Sequence, residues 1–352
     1  MPSSTEDYGM IRILAAALFV LFTASSFAQE AGPKSVVVAD SAIDPAALEK
    51  LKTLLEQTNS RQALVMHEGR IVAEWYWRGA GLAKPVEVWS LSKSMASTAI
   101  GLLIDEGKIA SIKDPVSKYI PAWGEGMKAR ATLENILNQT TGIKDVVGAG
   151  TPADLLQRSI DAEILHEPGT VIGYNNGGCN LISAVVRAAS GEDIEAYMRR
   201  KMWEPLGMKD TSWRRDDGGN VITYAGVQST ARDIGKFGQL FLDGGTWNGK
   251  PILSRQWIEA ATTPTYKMQF GSIKLPVRYG YLWWVDLAHK KAGHNYNALG
   301  LWGNNLTVIP DKKIVGVRLV GNNPDGIGLM LRTPEWVAAL SALVASPAID
   351  GK

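Results

Sequence analysis

The chain has 352 residues, 45% hydrophobic and 20% charged, and its 37 Lys and Arg nearly balance 35 Asp and Glu for a net charge of +2. That balance excludes a disordered chain, which needs low apolar content and high net charge. It also makes nucleic acid a poor main partner, because phosphate binding calls for a concentrated basic face. The length allows one large domain or two ordinary ones, with a core that needs no disulfide or metal.

In chain order, Ile13 to Phe22 (ILAAALFVLF) is an apolar run too short for a bilayer, which takes about 20 residues. Arg12 precedes it and Ser26-Phe27-Ala28 follows with a small-x-small pattern, so residues 1–28 read as a secretory signal peptide cut after Ala28. Met10 makes a better start than Met1, because Glu6 and Asp7 spoil the positive lead. A short N-terminal anchor is the alternative. The export reading places the mature chain in the periplasm or outside the cell, without stable membrane association, as one domain over 29–352.

Asp44 to Gln57 predicts an amphipathic helix opened by Asp44-Pro45, with Leu48, Leu51, Leu54 and Leu55 on one face. Gln62 to His67 and Arg70 to Trp77 predict two strands joined through Glu68-Gly69. Helical periodicity then dominates: Ser94 to Glu106, Leu133 to Leu137, Ala153 to Ser159, Asn180 to Ala189, Asp193 to Met202, and Thr230 to Leu242 with Ser229-Thr230 as its cap. Leu306 to Ile309 and Lys313 to Leu319 flank Pro310-Asp311-Lys312 as a second hairpin, and Thr333-Pro334-Glu335 opens a last helix to about Leu343. The expected fold is α/β in the α+β sense. An antiparallel sheet from N- and C-terminal segments is flanked by helices and carries a large, mostly helical insertion over about 94–245.

Cys179 stands alone, so no disulfide can form within the chain. His67, His166, His289 and His294 show no ligand spacing, and a metal site is not expected. His294 is read as structural, with substrate contact as the alternative. Tyr279 to Trp284 (YGYLWW) reads as core and sheet packing, with an aromatic cleft wall as the alternative.

Two short motifs carry chemistry. Trp89-Ser90-Leu91-Ser92-Lys93 contains S-x-x-K; if Ser90 begins a helix, Lys93 falls one turn later on the same face. A serine hydroxyl becomes a useful nucleophile when a neighbouring base takes its proton. Burial and the positive end of a helix favour a neutral amine that can do so, and the same helix end offers N–H groups to an oxyanion. An ordinary capped helix start explains the motif equally well. In Tyr174-Asn175-Asn176, a phenol near an ammonium can relay a proton, and Asn176 can donate to a substrate carbonyl or hold Lys93. A plain turn is the alternative.

With these motifs in order, the sequence resembles the serine β-lactamase and penicillin-recognising superfamily in its class C-like branch, which also holds carboxylesterases, D-aminopeptidases and nylon-oligomer hydrolases. The likeness is carried by WSLSKSMASTAIGLLIDEGKIASIKDPVSKYIPAW, TLENILNQTTGI, EPGTVIGYNNGGCNLISAVVRAASG, PLGMKDTSW, GVQSTARDIGKFGQLFL and GTWNGKPILSRQWIE, and runs from about Val65 to Val320. It implies a β-lactamase/transpeptidase-like fold, with Ser90 as the acylated nucleophile, Lys93 as its activating partner and Tyr174 as the tyrosine of the Y-x-N element. A third family element, K/H/W-x-G, falls on Leu301-Trp302-Gly303 within GLWGNNLTVIPDKKIVGVRL, where Leu301 departs from the pattern. Trp302 could fill the role. The resemblance also implies an oxyanion hole from the backbone N–H groups of Ser90 and Asn304. The missing cation argues against β-lactams and D-Ala-D-Ala peptides, whose carboxylate it would hold, and fits a neutral ester or amide. The expectation is a secreted serine hydrolase that needs no cofactor and acts through an acyl-enzyme on a small ester or amide. A β-lactamase or D,D-peptidase, and a non-catalytic binding protein on the same fold, are the alternatives. Oligomeric state and the exact substrate stay open.

Overall fold

The computed structural model describes residues 35–38, 40–146, 154–270, 273–323 and 332–345. The expected signal peptide lies outside these residues.

The first expected helix forms as α1 (Pro45–Gln57). Asp44 caps it by accepting from the N–H of Ala46 at 2.8 Å, and Leu48, Leu51 and Leu55 are buried. After strand β1 (Val36–Val37), the first hairpin joins β2 (Gln62–His67) to β3 (Arg70–Tyr76). Its two connecting residues both have positive φ, Glu68 at 48° and Gly69 at 78°. That is the tight turn whose twist matches paired strands.

The sequence reading missed the far half of the sheet. Tyr266–Phe270 (β4), Ile273–Tyr279 (β5), Trp284–Val285 (β6) and Tyr296–Gly300 (β7) join Asn304–Ile309 (β8) and Ile314–Leu319 (β9). Among the described residues the order is β1-β3-β2-β9-β8-β7-β6-β5-β4, with every pairing antiparallel. Both ends of the chain therefore meet in the middle of one sheet, β2 beside β9. The strand β7 is hard to see in sequence because it is buried along its whole length, so no polar alternation marks it.

Alternation along the central strands divides the core. Leu64, Leu306, Val315 and Val317 face one apolar cluster, while Ala63, Val65, Ile309 and Ile314 face another with Leu51, Leu55, Trp336 and Leu340. The second cluster is roofed by α1 and the last helix, Thr333–Ser341. Against the first lie two helices of the middle region, α2 (Ser92–Asp105) and α3 (Ala231–Leu242). Thr230 caps α3 as expected, accepting from Asp233 N–H. A Cβ on Gly235 would stand 2.3 Å from Leu64 and one on Gly238 2.6 Å from Leu306, so these glycines set how closely α3 lies on the sheet.

The middle region is mostly helical, with short strands at Ser212–Trp213 and Val227–Ser229 and helix boundaries that differ from the expected ones. The run predicted over Asn180–Ala189 forms as Asn176–Asn180 and Ile182–Ser190, and the one over Asp193–Met202 passes into a wider-wound turn, Arg199–Trp203. No helix among the described residues is long and apolar enough to cross a membrane.

Candidate active site

The site begins where α2 meets the sheet. Residues Ser92 to Leu103 are all buried, so α2 is a central helix that meets solvent only at its last turn. A tighter turn, Trp89–Leu91, leads into it, with Trp89 at φ 55°. Left-handed backbone is sterically disfavoured for a bulky residue, and the fold holds it here. The Trp89 carbonyl accepts from Ser92 Oγ at 2.6 Å, and Ser92 Oγ accepts from the N–H of Val227 at 3.0 Å.

Ser90 is thereby presented part-exposed above α2 with Lys93 beneath it. Lys93 is 1% exposed, and its Nζ has three partners at 2.9 Å: Ser90 Oγ, Asn176 Oδ1 and the carbonyl of Tyr224. Among the described residues no carboxylate forms an ion pair with it. The ring of Tyr174 packs on the same nitrogen, its centroid 4.5 Å from Nζ, and the ring of Tyr224 lies at 5.5 Å.

Buried amides set the Tyr174-Asn175-Asn176 stretch. Asn175 N–H donates to Gln139 Oε1 at 2.6 Å, its Nδ2 donates to the Ile143 carbonyl at 2.6 Å, and its Oδ1 caps the Gly178 N–H at 2.7 Å. The exposed carboxylate of Asp145 accepts from Asn176 N–H, Asn176 Nδ2 and Gly177 N–H at 3.1–3.3 Å. Donating Nδ2 to Asp145 turns the Asn176 oxygen toward Lys93. Burial, then Asp145, pushes the Tyr224 phenol up from its usual range. Cys179, one turn along, has its thiol pushed up to about 11 by burial, against the opposing pull of Lys93.

The third element lies beside the nucleophile turn. Gly300 ends β7 against it: a Cβ there would stand 2.0 Å from the Val88 carbonyl oxygen, so only glycine fits. The turn Leu301–Gly303 follows, with Trp302 at φ 67° and Gly303 at φ 87°. Here one expectation is corrected. The Asn304 backbone N–H is donated to the Leu301 carbonyl and the residue is fully buried, so it has no donor for an oxyanion.

Other expectations divide. His294 bonds Asp286 at 2.8 Å. Its other ring contact is with Tyr296, and among the described residues neither Asp286 nor Tyr296 is a hydrogen-bond partner of Ser90 Oγ or Lys93 Nζ. Within the aromatic run, Trp283 packs on Phe237 and Phe241 in the core, whereas Trp284 reaches Tyr174 with ring centroids 6.1 Å apart. Sequence reasoning missed Tyr224, Asp145 and Asn322, whose Oδ1 accepts the Trp89 indole N–H at 2.9 Å. No local pattern marks them; they reach the site through loops distant in sequence.

This antiparallel sheet with a helical insertion and an S-x-x-K pair at their junction defines a serine hydrolase scaffold. A family model described as Beta-lactamase matches residues 49–330, and the chain belongs to the β-lactamase family of serine hydrolases, esterases and amidases. The 6-aminohexanoate-dimer hydrolase of Paenarthrobacter ureafaciens is 25% identical over 298 residues, 77% of this chain and 75% of that protein. A penicillin-binding protein homologue from Caulobacter crescentus superposes with a TM-score of 0.73 at 16% identity, covering 89% of this chain and 100% of the other. A family VIII carboxylesterase structure gives 0.69 at 17% identity, covering 88% and 100%. At these identities the two structures show the shared fold.

Proposed function

We propose that the protein is an exported serine hydrolase that cleaves a carboxylester or small amide through an acyl-enzyme on Ser90. The observation that carries this reading is Lys93 Nζ, buried and 2.9 Å from Ser90 Oγ, with no carboxylate paired to it among the described residues. A lysine meant only to stabilise the fold would be better served by an acidic partner.

Ser90 Oγ attacks the carbonyl carbon while its proton passes to Lys93, acting as the neutral amine, which hands it on to Tyr174 as the phenol releases its own. The tetrahedral oxyanion forms against the N–H of Ser90 and an N–H of the Leu301–Trp302 turn, and this turn replaces Asn304 in that role. Tyr174 returns the proton to the leaving group, and water then repeats the sequence on the acyl-enzyme.

Two features support a substrate without a carboxylate beside the scissile bond. Leu301 stands where a cation would hold one, and Asp145 places a negative charge beside Asn176. A relative named for an amide dimer and a neighbour titled as a carboxylesterase agree with this class. The segment Ile13–Phe22 with Ser26-Phe27-Ala28 supports export, which N-terminal sequencing of the mature protein tests.

Ser90→Ala abolishes p-nitrophenyl ester hydrolysis and fluorophosphonate labelling; unchanged turnover means that the nucleophile lies elsewhere. Nitrocefin turnover matching that of the esters would make a β-lactamase the better reading. No acyl mass on the wild-type protein after incubation with an activated ester would make it a binding protein.

A further inference from the structure

Two buried polar side chains behind the Leu301–Gly303 turn have no part in the steps above. Asn304 is fully buried with its whole amide engaged. Its Oδ1 accepts from the N–H groups of Val320 and Gly321 at 2.8 and 2.9 Å, and its Nδ2 donates to the carbonyls of Leu301 and Gly321 at 2.7 and 3.3 Å. Arg318 is 2% exposed; its Nε donates to Ser60 Oγ at 3.1 Å and its Nη2 to the Thr58 carbonyl at 2.9 Å. Among the described residues no carboxylate pairs with it. A Cβ on Gly303 would stand 3.3 Å from Cζ, Nη1 and Nη2 alike, so the guanidinium meets this glycine with its flat face. Burial, helped by Arg332, lowers the Arg318 pKa to about 10.

We propose that Asn304 and Arg318 form a clasp that sets the Leu301–Gly303 turn relative to Ser90, making both positioning residues for acyl transfer. The proposal rests on the reading of Ser90 as nucleophile. An unpaired buried cation stabilises a fold less well than an apolar side chain of the same volume, so its presence calls for a use other than stability. The turn supplies one. Trp302 and Gly303 are consecutive left-handed residues, and such backbone persists where its surroundings over-determine it. Asn304 holds the turn at the Leu301 carbonyl, and Arg318 lies flat beneath Gly303. Both anchors lead to the end of β9: Arg318 lies in it, and Val320 and Gly321 follow directly. The next residue, Asn322, accepts the indole N–H of Trp89, the neighbour of Ser90. One short stretch therefore touches both the third element and the nucleophile turn.

Asn304→Asp keeps the acceptor toward Val320 and Gly321 but turns an oxygen toward two carbonyls. Arg318→Met keeps bulk and removes the fork. The measurement is the acylation rate with p-nitrophenyl butyrate per active site, the sites counted by fluorophosphonate labelling carried to completion, alongside the thermal midpoint. The rate per labelled site is expected to fall about 10²-fold, the penalty for a misplacement near 1 Å, with KM within about threefold of wild type. A lowered midpoint with an unchanged rate per site would reduce the clasp to structural support and overturn the proposal. Arg318→Met decides the matter alone if Asn304→Asp does not accumulate. If the wild-type protein takes no label, the reading of Ser90 fails instead.

Discussion

The nucleophile turn and the third-element turn use the same backbone device with different support. Each carries a tryptophan in left-handed conformation, Trp89 at φ 55° and Trp302 at φ 67°. The first sits at the mouth of a buried helix, and its chemistry follows from helical spacing: Lys93 reaches Ser90 because three residues make nearly one turn. The second sits at the end of a strand, and its position depends on Asn304 and Arg318, which anchor it to the end of β9 and to the connection between α1 and β2. A local motif brings its geometry with it, whereas a long-range one borrows geometry from side chains that carry no motif.

The sharpest test of the local half is removal of its amine. Lys93→Met leaves Ser90 without the group 2.9 Å away. Turnover of p-nitrophenyl esters should fall by about 10³ to 10⁴, the upper part of the range for a positioned proton-transfer group. A drop of less than tenfold would transfer the role to another base. Tyr174→Phe keeps the ring on Lys93 and removes only the hydroxyl, so about a 10²-fold loss in kcat is expected. The loss should deepen with poorer leaving groups, because Tyr174 is assigned their protonation. An equal loss across a leaving-group series would confine the Tyr174 hydroxyl to the attack step and remove it from protonating the leaving group.

What the sequence disclosed follows the same division. Ser90, Lys93, Tyr174 and Asn176 stand in short motifs, and the structure gathers the other three around Lys93 Nζ. The two hairpins and the capped helices were legible because Glu68-Gly69, Asp44-Pro45 and Thr230 punctuate them locally. The strand Tyr296–Gly300 was not, since burial throughout removes the alternation that identifies a half-buried strand. The backbone of Asn304 was placed in the oxyanion hole by resemblance, but its N–H closes a turn, a fact set by the φ values of Trp302 and Gly303 rather than by residue type. Tyr224 and Asp145 arrive from loops, where only the folded chain brings them near Lys93.

The junction of the two turns can be broken at Gly300. Alanine there would put a methyl 2.0 Å from the Val88 carbonyl oxygen, so β7 or the nucleophile turn must move. A roughly tenfold to 10²-fold fall in kcat/KM is expected, together with a lower thermal midpoint. Wild-type kinetics in Gly300→Ala would mean that the turns are not in register contact. Gly300 itself has φ −115°, so alanine there adds no left-handed strain and the loss reads the contact with Val88.

The smallest effect should come from the visible link between the turns, the Trp89–Asn322 hydrogen bond. It is solvent-exposed, and an exposed bond exchanges readily with water, so its loss costs about 1 kcal/mol or less. The conformation of Trp89 has a second, interior support in Ser92 Oγ, which links the Trp89 carbonyl to Val227. Asn322→Ala should therefore change ester turnover less than about threefold, whereas Ser92→Ala, which removes the interior support, should cost more. If the order is reversed, Trp89 is held from the third-element side, and the nucleophile turn is as dependent on long-range contacts as its partner.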